Sequence, residues 1–143
     1  MKQSIFYSVF IIVFLLFACN KTDNNVSKTA LLTSGSWKLT AVVSDNDADG
    51  TYETDDYAGF PDCYKDNFYI FHTNGVLEMN EGPFMCDPTD PQTETTNWQL
   101  INNDANLMIW NDTWEVLELT NTTLKWKEAY PGGRSSLVTF TKR

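Results

Sequence analysis

The sequence predicts an all-β domain, an eight-stranded antiparallel up-and-down barrel, and three observations carry that prediction. Apolar residues recur at every second position through a series of short runs, the period of strands with one buried face. Clusters of Asn, Asp, Gly and Pro separate those runs, as tight turns between neighbouring antiparallel strands require. No stretch carries a helical period with caps at its ends. Short antiparallel strands joined in this way hide their edges by closing on themselves.

The chain opens with something else. Lys2 precedes an apolar run from Val9 to Phe17, and the hydrophobicity stops abruptly at Leu16-Phe17-Ala18-Cys19. A charged start, a short apolar stretch and a small residue before the break describe a secretory signal, too short to span a bilayer comfortably. A break placed directly before a cysteine resembles a bacterial lipobox. That resemblance implies removal of residues 1–18 as a lipoprotein signal peptide and attachment of a lipid to Cys19, the first residue of the mature chain. An uncleaved helix ending in an ordinary cysteine is the competing reading. Because Asn20 is not an aspartate, the lipoprotein resemblance further implies an outer-membrane location in a bacterial cell envelope. Residues 19–29 are then the lipidated cysteine and a flexible tether, polar, without proline and without apolar period.

Residues 30–143 have the length of one domain with one core. Once Lys2 is removed, nineteen acidic residues face nine basic ones, a net charge of −10. Such a surface repels phosphates, which excludes nucleic acid as a partner and leaves the lipid as the means of reaching a membrane.

The first strand runs through Trp37, Leu39, Ala41 and Val43, which alternate with Lys38, Thr40 and Val42. Two strand-like runs, Asn67 to Thr73 and Val76 to Asn80, then flank Asn74-Gly75, a strong hairpin signal. A two-residue turn there sets His72 against Leu77, Ile70 against Met79 and, farther out, Cys63 against Cys86. Both cysteines belong to a chain exported to an oxidising compartment, so a Cys63–Cys86 disulfide is expected. Later strands are Trp98 to Ile101, Leu107 to Trp110, Trp114 to Leu119, Leu124 to Lys127 and Leu137 to Lys142. A turn at Asn121-Thr122 pairs Leu119 with Leu124, Glu118 with Lys125 and Leu117 with Trp126. Trp37, Trp98 and Trp126 read as core. The Asn111-Asp112 turn leaves two registers open, Ile109 against Trp114 or Trp110 against Trp114. The second would expose a patch of Met108, Trp110, Trp114 and Val116, unless a bulge near Val116 buries part of it.

Gly35-Ser36-Trp37 at the head of the first strand resembles the Gly-x-Trp signature of lipocalins, and the closing Lys142-Arg143 resembles the cation that packs over that tryptophan. Together with Leu32, Cys63-Tyr64-Lys65-Asp66, Phe71-His72-Thr73-Asn74-Gly75, Trp98, Glu118-Leu119-Thr120 and Val138-Thr139-Phe140, these residues resemble the lipocalin-like domain of bacterial envelope lipoproteins. The resemblance covers nearly the whole mature chain and implies a calycin-type barrel that binds rather than catalyses. The long acidic loop from Ser44 to Asp62 departs from the family pattern, and no second lipocalin signature is clear in mid-chain.

That loop reads Asp45-Asn46-Asp47-Ala48-Asp49-Gly50-Thr51-Tyr52-Glu53-Thr54-Asp55-Asp56, which matches a calcium-binding loop position by position. Asp45, Asp47 and Asp49 offer carboxylates, Gly50 permits the sharp turn and Thr51 offers a carbonyl. Glu53 would act through water, and Asp56 stands where a bidentate glutamate usually closes the cage. A structural Ca2+ is therefore expected, against the alternative of a solvated acidic loop that binds nothing specifically.

Catalysis has no such support. His72 is the lone histidine and lies beside a hairpin turn, and no nucleophile elbow, Cys-His pair or zinc spacing is present. The chain is thus expected to be a non-enzymatic, membrane-anchored module, whose barrel holds a small apolar or amphipathic molecule. The alternative is a filled barrel that binds an envelope protein or a glycan through its loops. Nothing in the sequence names the ligand-binding residues.

Overall fold

A computed structural model describes residues 26–143; the signal, Cys19 and the tether up to Asn25 lie outside the described residues. The order of elements is α1 (Lys28–Leu32), β1 (Ser36–Asp45), β2 (Thr54–Asp55), α2 (Asp62–Lys65), β3 (Phe68–Phe71), β4 (Val76–Asn80), β5 (Thr93–Ile101), β6 (Asn106–Ile109), β7 (Asp112–Leu119), β8 (Thr123–Ala129) and β9 (Ser135–Lys142). Eight of these strands form a closed antiparallel barrel in chain order, and pairing of β1 with β9 completes the ring. The extra strand, β2, is two residues long and lies beside the far end of β1 through Val43↔Asp55 and Ser44↔Thr54.

The two α-helices escaped the sequence reading because four or five residues cannot display a period. α1 begins at a Ser27 cap, whose Oγ accepts a hydrogen bond from Ala30 N at 3.1 Å.

Three registers differ from expectation. The β3–β4 hairpin pairs Phe71 with Leu77 and Tyr69 with Met79, one residue away from the register of a two-residue turn. Its loop is Thr73-Asn74-Gly75: Gly75 N donates to His72 O at 3.0 Å, His72 N donates to Val76 O at 2.8 Å, and Gly75 takes a φ of +82°. This is a turn followed by a left-handed glycine, the favoured three-residue hairpin. A one-residue slip exchanges the faces of a strand. Tyr69 and Phe71 accordingly point inward, and His72 stands outside with its Nε2 3.4 Å from Glu78 Oε2.

The second difference is a bulge in β1 between Leu39 and Ala41, opposite β9. One extra residue shifts the alternation. Trp37 and Leu39 face inward as expected, but beyond the bulge Val42 faces the interior instead of Ala41 and Val43.

The third concerns β6 to β8. The β6–β7 turn is Trp110-Asn111, with Ile109 opposite Asp112 and Leu107 opposite Trp114, so neither register left open by the sequence occurs. Trp110 occupies the turn at φ +53° and is 71% exposed, while Trp114 points into the barrel. Between β7 and β8 the expected bulge is present: Leu119 pairs with Leu124 and Glu118 with Lys125, but Trp126 then faces Val116 rather than Leu117. Leu117 is the bulged residue and is left exposed.

These registers build a barrel with one closed end. Its fully buried side chains, Leu32, Trp37, Phe71, Leu77, Leu107 and Leu124, cluster there. Trp37 Nε1 donates to Leu32 O at 2.8 Å, which fastens α1 across the opening. Lys142 Nζ lies 4.8 Å from the centroid of the Trp37 ring and donates to Leu31 O at 3.2 Å. The cation-over-tryptophan arrangement implied by the lipocalin resemblance is thus present. Trp98 is also buried, with Nε1 3.1 Å from both His72 O and Val76 O.

The other end has an uneven wall, because β3 and β4 have four and five residues where β1 has ten and β5 nine. Two long loops, residues 46–67 and 81–92, rise from the low side. A Cys63–Cys86 disulfide links them, with Cα atoms 5.2 Å apart. Neither cysteine belongs to a strand, so the pairing arises from the meeting of the loops rather than from the hairpin register that suggested it.

Candidate functional site

Above the closed end the barrel is not filled. A cavity of about 740 Å³ extends from Leu77 and Met79 upward to the loops. Period-two alternation places its wall: Leu39 and Val42 from β1, Tyr69 from β3, Trp114 from β7, Trp126 from β8 and Phe140 from β9. The rings pack against one another. Tyr69 meets Phe140 edge-on with centroids 5.3 Å apart, Trp126 lies 4.5 Å from Phe140, and Trp114 stacks on Trp126 at 5.1 Å. Gly59 and Phe60, from the loop that follows β2, form part of the roof.

The roof position follows from the backbone. Asp56 N donates to Val42 O at 3.0 Å, and Tyr57 OH donates to Leu39 O at 3.2 Å, which lays this segment along the stretch of β1 that β3 does not cover. The disulfide and Asp66 hold it from the other side. Asp66 Oδ2 accepts from Phe84 N at 2.9 Å, joining the two loops a second time.

Polar groups gather near the mouth. Glu128 receives a hydrogen bond on each carboxylate oxygen, from Trp126 Nε1 at 2.9 Å and from Tyr130 OH at 2.7 Å. Ser44 Oγ donates to Asp56 Oδ2 and lies 2.6 Å from Ser136 Oγ. Asp56, Glu128, Tyr130 and Ser136 all line the cavity. Burial raises the pKa of the Tyr130 phenol, and its hydrogen bond to Glu128 adds to the shift. Burial also raises the pKa of Tyr69, followed by the negative charges of Glu81 and Glu128. These residues set two carboxylates, a phenol and a serine hydroxyl in the lining near the mouth of the cavity.

The acidic loop is only partly the cage that its sequence suggests. Carboxylate oxygens of Asp45, Asp47 and Asp49 lie within 4.8 Å of one another, a group that could hold a metal ion. Asp45 is buried, and its two oxygens accept from Asp49 N at 3.2 Å and Gly50 N at 3.0 Å. Thr51 N donates to Asp49 Oδ1 at 2.7 Å. Glu53 and Asp56 are not in this carboxylate group. Pairing of Thr54 with Ser44 folds the loop back along β1 and leaves Asp56 at the cavity beside Ser44.

The sequence assigned no residue to ligand binding, although one signal was present. Leu124, Trp126, Glu128 and Tyr130 alternate along a single strand face, passing from core to carboxylate to phenol as β8 climbs towards the mouth. Phe60 and Ser136 carried no comparable signal, because the folding of a loop and the meeting of β1 with β9 place them.

Among the solved structures that resemble the chain are two from Bacteroides. A lipocalin-like protein from Bacteroides uniformis is 21% identical, with a TM-score of 0.46, 79% of this chain covered and 99% of that one. A DUF4847 family protein from Bacteroides vulgatus is 13% identical, with a TM-score of 0.51, 82% of this chain covered and 98% of that one; this likeness is one of fold alone. No curated protein matches the chain. The lipocalin-like domain family matches residues 33–126, from just before β1 into β8. That stretch is more than half of the chain, which therefore belongs to the lipocalin-like domain family.

Proposed function

We propose that this protein is a non-enzymatic binding module, anchored to the bacterial outer membrane through a lipid on Cys19, whose barrel holds a small apolar or amphipathic molecule. The observation that carries the reading is the cavity of about 740 Å³ walled by Tyr69, Trp114, Trp126 and Phe140. Its size lies in the range of small-molecule sites, about 300–1,000 Å³, and its apolar wall with a few polar groups at one end has the usual composition of such sites. A void of this size favours the ligand-binding reading over the filled-barrel alternative. Native mass spectrometry of protein taken from cells tests the proposal, with a bound small molecule as the expected result. Protein that is uniformly ligand-free, and that also fails to take up apolar probes, would overturn it. The anchor has its own test: metabolic labelling with a fatty-acid analogue should mark the wild type and not Cys19→Ala.

A calcium ion at Asp45, Asp47 and Asp49 is a second element of the proposal, supported by the convergence of the three carboxylates. Its role is to stabilise the loop, which carries five Asp and one Glu between Asp45 and Asp56. Millimolar calcium should raise the thermal midpoint of the wild type and leave Asp47→Asn unmoved. Identical midpoints in calcium and chelator would remove the ion.

A further inference from the structure

We infer that the cavity is built for an amphipathic organic cation, with an ammonium head beside Asp56 and Glu128 and an apolar body among the aromatic rings. The inference rests on the ligand-binding reading above and names the chemical class of the ligand.

Asp56 and Glu128 line the cavity, and among the described residues no lysine, arginine or histidine does. Among the described residues the ion pairs are Lys65–Asp62 and His72–Glu78, so neither carboxylate has a cationic partner. Neutral donors position both groups instead. The Trp126 indole and the Tyr130 hydroxyl hold Glu128, and the Ser44 hydroxyl holds Asp56. Neutral donors fix the geometry of a carboxylate while leaving its charge uncompensated, the arrangement that a charge-assisted hydrogen bond from an ammonium group would complete.

The negative charge of these groups reaches the neighbouring phenols. Behind burial and the direct Glu128 hydrogen bond, the charges of Glu128 and Asp56 both push the Tyr130 pKa upward, and that of Glu128 does the same at Tyr69. The wall beneath the carboxylates is built from the rings of Trp114, Trp126, Tyr69 and Phe140, whose apolar surface accepts a hydrocarbon body and whose faces attract a cation. Arg134 lines an adjoining groove with Asp56 and Tyr130 but is exposed and pairs with neither carboxylate. An anionic amphiphile placed in the same cavity would bring its head against two like charges without a compensating cation in the lining. The net charge of the chain, −9, adds a field that draws cations towards the mouth.

The test compares three probes that share one apolar body: 4-phenylbutylamine, 4-phenylbutan-1-ol and 4-phenylbutyrate. Each is titrated calorimetrically into the full chain in neutral-lipid nanodiscs at pH 7, with empty nanodiscs subtracted. The amine should bind about tenfold more tightly than the alcohol, and the carboxylate should bind more weakly than either. Glu128→Gln and Asp56→Asn, each verified as folded by circular dichroism, should bring the amine-to-alcohol ratio towards unity. Equal binding of amine and alcohol would overturn the inference while sustaining the ligand-binding reading, as would preference for the carboxylate. Failure of all three probes would overturn both. An amine preference that survives both substitutions would overturn the assignment of the head to Asp56 and Glu128.

Discussion

The indole of Trp114 stacks on that of Trp126, with centroids 5.1 Å apart and planes 8° from parallel. Their strands, β7 and β8, are neighbours, yet the two residues are not register partners, since Trp126 pairs with Val116. The pair is therefore diagonal, and both rings face the cavity.

Loss of these rings should have unequal effects. Trp126 is buried and touches Phe140 as well as Trp114, so Trp126→Ala should destabilise the fold by about 3–5 kcal/mol. Trp114 is half-buried and borders open space, and Trp114→Ala should cost about half as much. Urea unfolding followed by circular dichroism measures both, and equal losses would contradict this account of the cavity wall.

Removal of the disulfide should loosen the low side of the barrel. Cys63 and Cys86 are 23 residues apart in sequence, and Cys63→Ser with Cys86→Ser should cost about 2–4 kcal/mol. The same loss should follow from reductant on the wild type and be absent in the double variant. Amide exchange should accelerate in residues 56–67 and 81–92 before it changes in β8 and β9.

Stability should fall at alkaline pH, and Tyr69 should contribute to the fall. Its folded pKa is raised, chiefly by burial, above the ordinary 10.0. Above pH 10 the unfolded chain loses this proton while the folded chain keeps it, so unfolding is favoured as pH rises. The contribution of Tyr69 is complete below pH 10 and disappears as pH passes the folded value. Tyr69→Phe should flatten the curve of unfolding free energy between pH 9 and 11, as read by urea titrations at each pH, and an unchanged slope would exclude the phenol as a source.

Two glycines separate backbone strain from crowding. Gly50 has a φ of +91° with open space around it, whereas Gly82 has a φ of +71° and a Cβ there would lie 2.7 Å from Asp66 O. Gly50→Ala should cost about 1–2 kcal/mol from the left-handed backbone alone. Gly82→Ala should cost more, because the contact displaces Asp66 and with it the hydrogen bond to Phe84 N. Thermal unfolding of the two variants ranks the effects.

The fold was legible where alternation and turn residues acted locally. Trp37, Trp98 and Trp126 are buried as the strand pattern required, and Glu118 faces Lys125. Errors arose where a turn or strand gained a residue or a turn fell one position away: Thr73 joins the β3–β4 loop, a bulge follows Leu39, and the β6–β7 turn is Trp110-Asn111. The first two move side chains to the opposite face, and none of the three changes composition or period enough to register in a sequence. Asp45, Asp47 and Asp49 come together as their spacing implied because one tight turn holds all three. Asp56 does not join them, because pairing of β2 with β1 is a contact between segments that the loop motif alone cannot anticipate. Glu128 shares an alternating face with Leu124 and Trp126 in the sequence, but its place at a cavity mouth depends on the pairing of β8 with β9.

The short pairing between β1 and β3 has a kinetic meaning. Three residue pairs join them, Ser36↔Ile70 to Lys38↔Phe68, and above that seam the wall is the Asp56–Phe60 segment rather than a strand. Elsewhere around the ring, passage through the side would require breaking a ladder between strands, whereas here it requires release of the hydrogen bonds from Asp56 N to Val42 O and from Tyr57 OH to Leu39 O. The residence time of anything inside should then follow the opening rate of this hatch, and the disulfide that tethers its base should slow arrival and departure together, leaving the equilibrium between them largely untouched.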